Sequence, residues 1–212
     1  MARRYQVRHD GSHHGHQPKY HLNAIKVQAR NEVIAAYRRI TGRQAIPPDR
    51  NYWTLCNFQP DQEGSEIVQM VQAGLLTKRQ FYGVDRDIDS EGVIRYNRSQ
   101  HPNAHWFRGE WLATIYDNPD SFRPALVYFD STQTIKTVVP TLAETMDACP
   151  PDTVLAANIM LNIPQNGQVF NPNSLFSRLA EYLRSPNWIP EPKCYCYRCS
   201  RTIMATYIFR RT

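Results

Sequence analysis

The sequence predicts a single α/β domain with a doubly wound, mostly parallel sheet of about seven strands and an extra N-terminal helix. Between residues 51 and 132, apolar runs typical of strands alternate with segments typical of helices, which favours parallel strands joined by helices. Three of these runs are closely followed by acids, which are Asp85, Glu110 and Asp130. At 212 residues the chain is long enough for one such domain with a substantial core.

An amphipathic helix is predicted over residues 22–40. Its apolar positions recur every three or four residues, as on the buried face of a helix. These positions are Leu22, Ile25, Ala29, Val33, Ala36, Tyr37 and Ile40. We place Lys26, Arg30 and Arg38 on the opposite face, and we expect Thr41-Gly42 and Pro47-Pro48 to end the helix.

The first strand is predicted at residues 52–56, and a polar loop follows at residues 57–64. A helix is then predicted to begin at Ser65 and Glu66 and to run to Leu75. The first turn of a helix has backbone N–H groups without intrahelical partners and the positive end of the dipole. Both favour an anionic or carboxylate-bearing ligand, which we therefore place at this loop.

The next strands are predicted at residues 80–85, 104–108 and 126–130. A helix over residues 89–99 connects the first two of these, and Pro102 marks its boundary with the strand. In an open α/β sheet, ligands bind outside the carboxyl ends of the strands. We therefore expect the acids there to face a nucleotide-like ligand.

The remainder of the chain is predicted to complete the same domain. A Pro-rich segment at residues 164–190 is interpreted as a lid or substrate-facing insertion. The other predicted elements are a helix at 138–149 with Pro140 in its first turn, a strand at 153–161, a helix at 173–184 within the Pro-rich segment, and closing strands at 195–197 and 203–209.

The chain is basic, with a net charge of +6, and many of its cations lie in the first 50 residues. We expect residues 1–20 to be a flexible basic arm and residues 21–212 to be the domain. This charge favours nucleic acid as a partner, because neutralised phosphates release counterions. The alternative is a solvated basic surface with no such partner. No run approaches the ~20 apolar residues of a membrane span, and a cytoplasmic protein is expected, in the host cytoplasm if it is viral.

Four short patches resemble the class I S-adenosylmethionine-dependent methyltransferases in order and spacing. They are 54–57 with 64–67, 82–85, 109–111 and 129–132. The resemblance implies that S-adenosylmethionine is the cofactor and that Asp85 binds the two ribose hydroxyls. It also implies that Glu110 contacts the adenine amine, that Trp111 offers an apolar face to the ring, and that Asp130 lies beside the transferable methyl group.

Further site residues are predicted on the same basis. Asn57, Gly64 and Ser65 belong to the loop that would hold the cofactor. Asp130 would orient the acceptor or take its proton, and Asn158 and Asn162 would help to position the acceptor. The resulting hypothesis is a methyltransferase-like protein that acts on or binds nucleic acid.

Two alternatives come from the same residues. The loop at 57–64 has a single glycine, Gly64, which favours a catalytically inactive protein that keeps the scaffold and binds nucleic acid or protein. A structural or assembly component, such as a viral one, would also explain the basic arm. Cys194, Cys196 and Cys199 have a spacing that zinc could use with a fourth ligand, but we assign no metal site.

Overall fold

The computed structural model describes residues 24–85, 90–161, 174–192, 194–199 and 202–212. The predicted arm at 1–20 and Asn162 lie outside this part. The helices are α1 (Ala24–Thr41), α2 (Glu66–Gln72), α3 (Ser90–Gln100), α4 (Trp111–Asp117), α5 (Ile135–Ala148) and α6 (Ser174–Ala180), with a 3-10 helix at Lys78–Gln80. The strands are β1 (Asn51–Leu55), β2 (Phe81–Asp85), β3 (His105–Arg108), β4 (Pro124–Thr134), β5 (Val154–Leu161), β6 (Trp188–Pro190), β7 (Tyr195–Cys199) and β8 (Thr202–Arg211).

In the described part of the chain these strands form one eight-stranded sheet with the order β3-β2-β1-β4-β5-β8-β6, and β7 also pairs with β8. The pairs from β3 to β5 are parallel, whereas β8 is antiparallel to β5, β6 and β7. From β1 the chain first builds outward to β2 and β3, and then returns to the other side of β1 for β4. This reversal confirms the doubly wound fold and places its switch point between β1 and β4.

Helices cover both faces of the sheet, as the sequence predicted. One face carries α1, α2 and α3, whose apolar residues pack with Tyr52, Phe81 and Leu126. The other face carries α4, α5 and α6, which pack with Trp53 and Val127. The central strands are buried on both faces, which explains their near-continuous apolar sequences.

Several elements differ from their predicted bounds. β4 continues past Asp130 to Thr134, with an irregular pairing to β5 between these residues. α5 begins at Ile135, so Pro140 lies in its second turn and not in its first. α4 and β6 were not predicted, because seven and three residues are too few to show a repeated hydrophobic pattern.

The described part of the predicted Pro-rich insertion belongs to the domain. α6 buries Leu175 and Leu179 in the main core, and β6 pairs with β8. Residues 162–173 lie outside the described part. None of the described helices combines the length and apolar character that crossing a membrane requires.

Helix α1 is buried more deeply than its charge pattern predicted. We placed Lys26 and Arg30 opposite the apolar face, but their side chains are 2% and 1% exposed. They share the buried face with Ala29 and Val33, at three- and four-residue spacing. This face packs over β5, β7 and β8, so both cations point toward the sheet.

Candidate functional site

The candidate site lies at the carboxyl edge of β1, β2 and β4, beside the switch point. Thr54 pairs with Gly83 on one side and with Tyr128 on the other. Because strand residues alternate between faces, Asp85 and Asp130 project on the same face of the sheet. The strand ends therefore bring these two predicted site residues to one edge and one face of the sheet.

Asp85 ends β2 and is 5% exposed. Cys56, the residue after β1, lies nearby on the same face. Burial raises the pKa of the Cys56 thiol well above its usual value, and the negative charge of Asp85 raises it further. The Cys56 thiol is therefore protonated and forms an apolar wall of the site. Asp85 provides the negative charge of the site.

A side chain of the protein, and not a free space for a ligand, lies at the start of α2. We expected its backbone N–H groups to face a ligand, but the buried Gln59 side chain accepts from them, with Oε1 at 3.1 Å from Glu66 N and 3.4 Å from Ile67 N. Gln59 is held in turn by Asn97, whose Oδ1 accepts from Gln59 N at 2.7 Å. Two backbone N–H groups in the first turn of α2 are thus satisfied within the chain.

Glu66 is a functional candidate that the sequence analysis did not select. It is fully buried, and its Oε1 accepts the phenolic hydrogen of Tyr52 at 2.8 Å. Burial raises the pKa of the Glu66 carboxyl, while the positive charge of Arg30 acts in the opposite direction. The signal that could have found it is Arg30 itself, a cation on the apolar face of α1.

The predicted loop residues lie just beyond the carboxyl end of β1. Gly64 has φ of 86°, which favours glycine, and its carbonyl accepts from Arg30 Nη2 at 2.7 Å. Ser65 is fully buried at the N-cap of α2 without a side-chain capping bond. The Asn57 carbonyl accepts from Asn97 Nδ2 at 2.9 Å. The loop therefore has a defined shape despite its single glycine.

Among the described residues, Lys26 and Asn158 bond to Asp130. Lys26 Nζ lies 2.8 Å from Oδ1 and 2.7 Å from Oδ2, and Asn158 Nδ2 donates to Oδ1 at 2.6 Å. Asn158 is fully buried in β5, and its Nδ2 also donates to the Tyr197 hydroxyl at 2.7 Å. The structure thus brings together the two predicted catalytic residues and adds Lys26, which sequence reasoning missed.

Glu110 and Trp111 are adjacent in sequence, but one side chain faces solvent and the other lies in the core. Glu110 is exposed at the N-cap of α4, whereas Trp111 is 3% exposed in the main core. Its indole N–H donates to Thr145 Oγ1 at 2.8 Å, and its ring packs edge-on against Trp53 and Phe129. Trp111 therefore has little free surface to offer a ligand.

Five buried polar side-chain atoms around this edge have no hydrogen-bond partner within the described residues. They are Asn57 Oδ1, Gln59 Nε2, Ser65 Oγ, Glu66 Oε2 and the Tyr128 hydroxyl. Buried polar groups in folded proteins are nearly always paired with protein, water or ligand. Their concentration near the end of β1 supports a polar ligand or ordered water there.

No group of three or more potential metal ligands was found among the residues that the structure describes. Cys194 Sγ and Cys196 Sγ lie 3.6 Å apart at the start of β7. The side chain of Cys199 is outside the described part.

A scan against protein-family models gave no match, and neither did a search of curated protein sequences. Solved structures do resemble the chain. A candidate O-methyltransferase from Klebsiella pneumoniae matches 98% of this chain and 89% of its own, with a TM-score of 0.57 and 15% identity. The O-methyltransferase TomG from Streptomyces achromogenes, solved in complex with S-adenosylmethionine, matches 96% of this chain and 90% of its own, with a TM-score of 0.52 and 11% identity.

A candidate S-adenosylmethionine-dependent methyltransferase from Streptococcus mutans also has a TM-score of 0.52, at 9% identity. The match covers 85% of this chain, which spans about half of that protein, at 48%. At such identities the likeness concerns the fold. It agrees with the observed strand order and with the resemblance noted in the sequence. The chain has a class I methyltransferase-like α/β fold.

Proposed function

We propose that this protein binds S-adenosylmethionine at the carboxyl edge of β1, β2 and β4 and uses it to methylate a nucleic acid. The observation that carries the proposal is the set of five buried polar atoms near the end of β1 that have no hydrogen-bond partner among the described residues. A ligand with hydroxyl, amine and carboxylate groups can satisfy such atoms, whereas an apolar ligand cannot.

The residues present fit this ligand in part. Asp85 has the charge and the position to accept two hydroxyl hydrogens, and Asn57 and Ser65 offer polar atoms at the mouth of β1. Glu110 is exposed at the rim, where it can accept from an amine. Trp111 contributes through the core and not through stacking on the ligand.

S-adenosylmethionine would supply an activated methyl group, so the protein mainly has to align the acceptor. Asp130 suits this orienting role because Lys26 and Asn158 fix both of its oxygens. Nucleic acid as the acceptor is supported by the net charge of +6.

The test is calorimetric titration of the full chain with S-adenosylmethionine and S-adenosylhomocysteine. We expect micromolar dissociation constants, about −8 kcal/mol. Asp85→Asn should weaken both at least tenfold, whereas Glu144→Gln, which alters an exposed carboxylate on α5, should leave them unchanged. Equal binding by wild type and Asp85→Asn would remove Asp85 from the site.

A second candidate is a catalytically silent scaffold that binds nucleic acid. The contacts of Gln59 with the first turn of α2, and of Lys26 with Asp130, favour it because they occupy groups that a ligand would use. It predicts no heat with either S-adenosyl compound while an oligonucleotide still binds.

A further inference from the structure

The opposite, amino edge of the sheet contains two neighbouring clefts rich in arginine. The first has a volume of about 200 Å³ and lies where α1 ends and β5 begins; its basic residues are Arg43, Arg210 and Arg211. The second has a volume of about 210 Å³ and lies at the start of β1; its basic residues are Arg50, Arg79 and Arg123. Neither cleft includes a residue of the carboxyl-edge site.

The two clefts meet at Arg50. Its guanidinium lines the second cleft, and its Nη2 donates to Thr153 Oγ1, a wall of the first cleft, at 3.3 Å. Further bonds from Nη2 to the Pro124 and Pro151 carbonyls fix the side chain in this place. Arg50 therefore lies between the two clefts, which we together call the arginine groove, along the amino ends of β1, β4 and β5.

The arginine groove carries an excess of positive charge. Six arginines line it against three aspartates, Asp49, Asp120 and Asp152. Within the described residues, four of the arginines are exposed and form no ion pair with a carboxylate: Arg43, Arg79, Arg123 and Arg210. Like charges held this close repel one another, so an anion that entered the groove would be stabilised by several of them at once.

We infer that the arginine groove binds the sugar–phosphate backbone of a nucleic acid. Guanidinium groups hold phosphates through two parallel hydrogen bonds, and two neighbouring arginine-lined clefts suit a row of phosphates better than a single one. The inference deepens the nucleic-acid part of the proposed function but does not depend on the cofactor. Because the groove lies on the edge opposite Asp85 and Asp130, it would anchor the nucleic acid away from the site of chemistry.

The test is fluorescence anisotropy with a labelled single-stranded oligonucleotide of about 20 nucleotides, measured over a range of salt. Two double variants of the full chain each remove one side of the groove: Arg43→Gln/Arg210→Gln and Arg79→Gln/Arg123→Gln. The matched control is Arg95→Gln/Arg178→Gln, which removes the same charge from exposed positions on α3 and α6.

Each groove variant should weaken binding at least tenfold. The slope of log affinity against log salt should become shallower by an amount that corresponds to about one to two phosphate contacts. The control should change affinity less than threefold. Thermal unfolding of all variants checks that they fold. Equal losses in groove and control variants, or no loss in either, would overturn the inference. So would binding to vesicles of anionic lipid without binding to the oligonucleotide.

The same variants separate this inference from the proposed cofactor site. Both groove variants should bind S-adenosylmethionine as the wild type does, because Asp85 and the loop after β1 are unchanged. If the wild type binds no S-adenosylmethionine but the groove variants still lose the oligonucleotide, the proposed methyl transfer fails and the arginine groove stands.

Discussion

Lys26 in α1 and Asp130 in β4 form a buried ion pair, with 2.7 Å between Nζ and Oδ2 and with side chains 2% and 9% exposed. The pair joins residues 104 positions apart. It fixes the first turn of α1 over the carboxyl ends of β4 and β5, at the switch point of the sheet. The pair therefore helps to hold α1 over this edge of the sheet.

Replacing Lys26 with Met should destabilise the fold by about 3 kcal/mol, because Asp130 would remain buried without its cation. Methionine fills a similar volume, so the loss would be mainly electrostatic. Urea unfolding at neutral pH measures it as a lower midpoint with an unchanged slope.

A double-mutant cycle separates the pair from other effects of Lys26. Asp130→Asn keeps the size of the side chain and a carbonyl oxygen to accept from Asn158. The variant with both changes should be more stable than the sum of the two single losses predicts, by at least 1 kcal/mol. Strict additivity would show that the two side chains do not stabilise each other.

The fold was largely predictable from the sequence, since the alternation of apolar strands and amphipathic helices marks each long element. Asp85 and Asp130 were located because each directly follows a run of buried strand residues. The contacts of Lys26 and Gln59 could not be predicted in the same way. Both are long-range bonds that depend on how α1 and the loop pack onto the sheet, and the sequence analysis had placed Lys26 on the opposite face of α1.

Glu66 should make stability fall as pH rises. Burial raises the pKa of its carboxyl in the folded state above the ordinary value of 4.5, so the folded protein binds the proton more tightly than the unfolded chain. Stability is therefore lost as pH increases from the ordinary value through the raised one. Glu66→Gln, which keeps a side-chain oxygen for Tyr52, should gain stability relative to wild type across that window.

The measurement is urea unfolding of both proteins at several values between about pH 4 and pH 8. Comparing variants matters because burial lowers the pKa of His101 in the folded state. His101 therefore makes the folded protein less stable as pH falls below 6.5, which is the opposite of the effect of Glu66. Glu144→Gln, at an exposed position, should run parallel to the wild type. A Glu66→Gln curve that is also parallel would show that folding does not raise the pKa of the Glu66 carboxyl.

Gly83 in β2 should not tolerate alanine. A Cβ atom there would lie 2.7 Å from Trp106 Cζ3 and 2.9 Å from Cys56 Sγ, so a packed side chain must move. We expect a loss of about 2 kcal/mol, typical of overpacking in a core. Thermal unfolding can compare it with Gly74→Ala, where no atom lies within 4 Å of the new Cβ and only the positive φ of 66° opposes the change, at about 1 kcal/mol. Equal losses would contradict the steric explanation.

Trp111→Phe distinguishes a core role from a ligand role for Trp111. Phenylalanine keeps an aromatic ring beside Trp53 and Phe129 but removes the N–H that Thr145 accepts at 2.8 Å. We expect a stability loss of about 1–2 kcal/mol in urea, from the lost hydrogen bond and the smaller ring. The dissociation constant for S-adenosylmethionine should change less than twofold, because the ring faces α5 and the core. Tenfold weaker binding with unchanged stability would instead place Trp111 against the ligand, as the sequence resemblance implied.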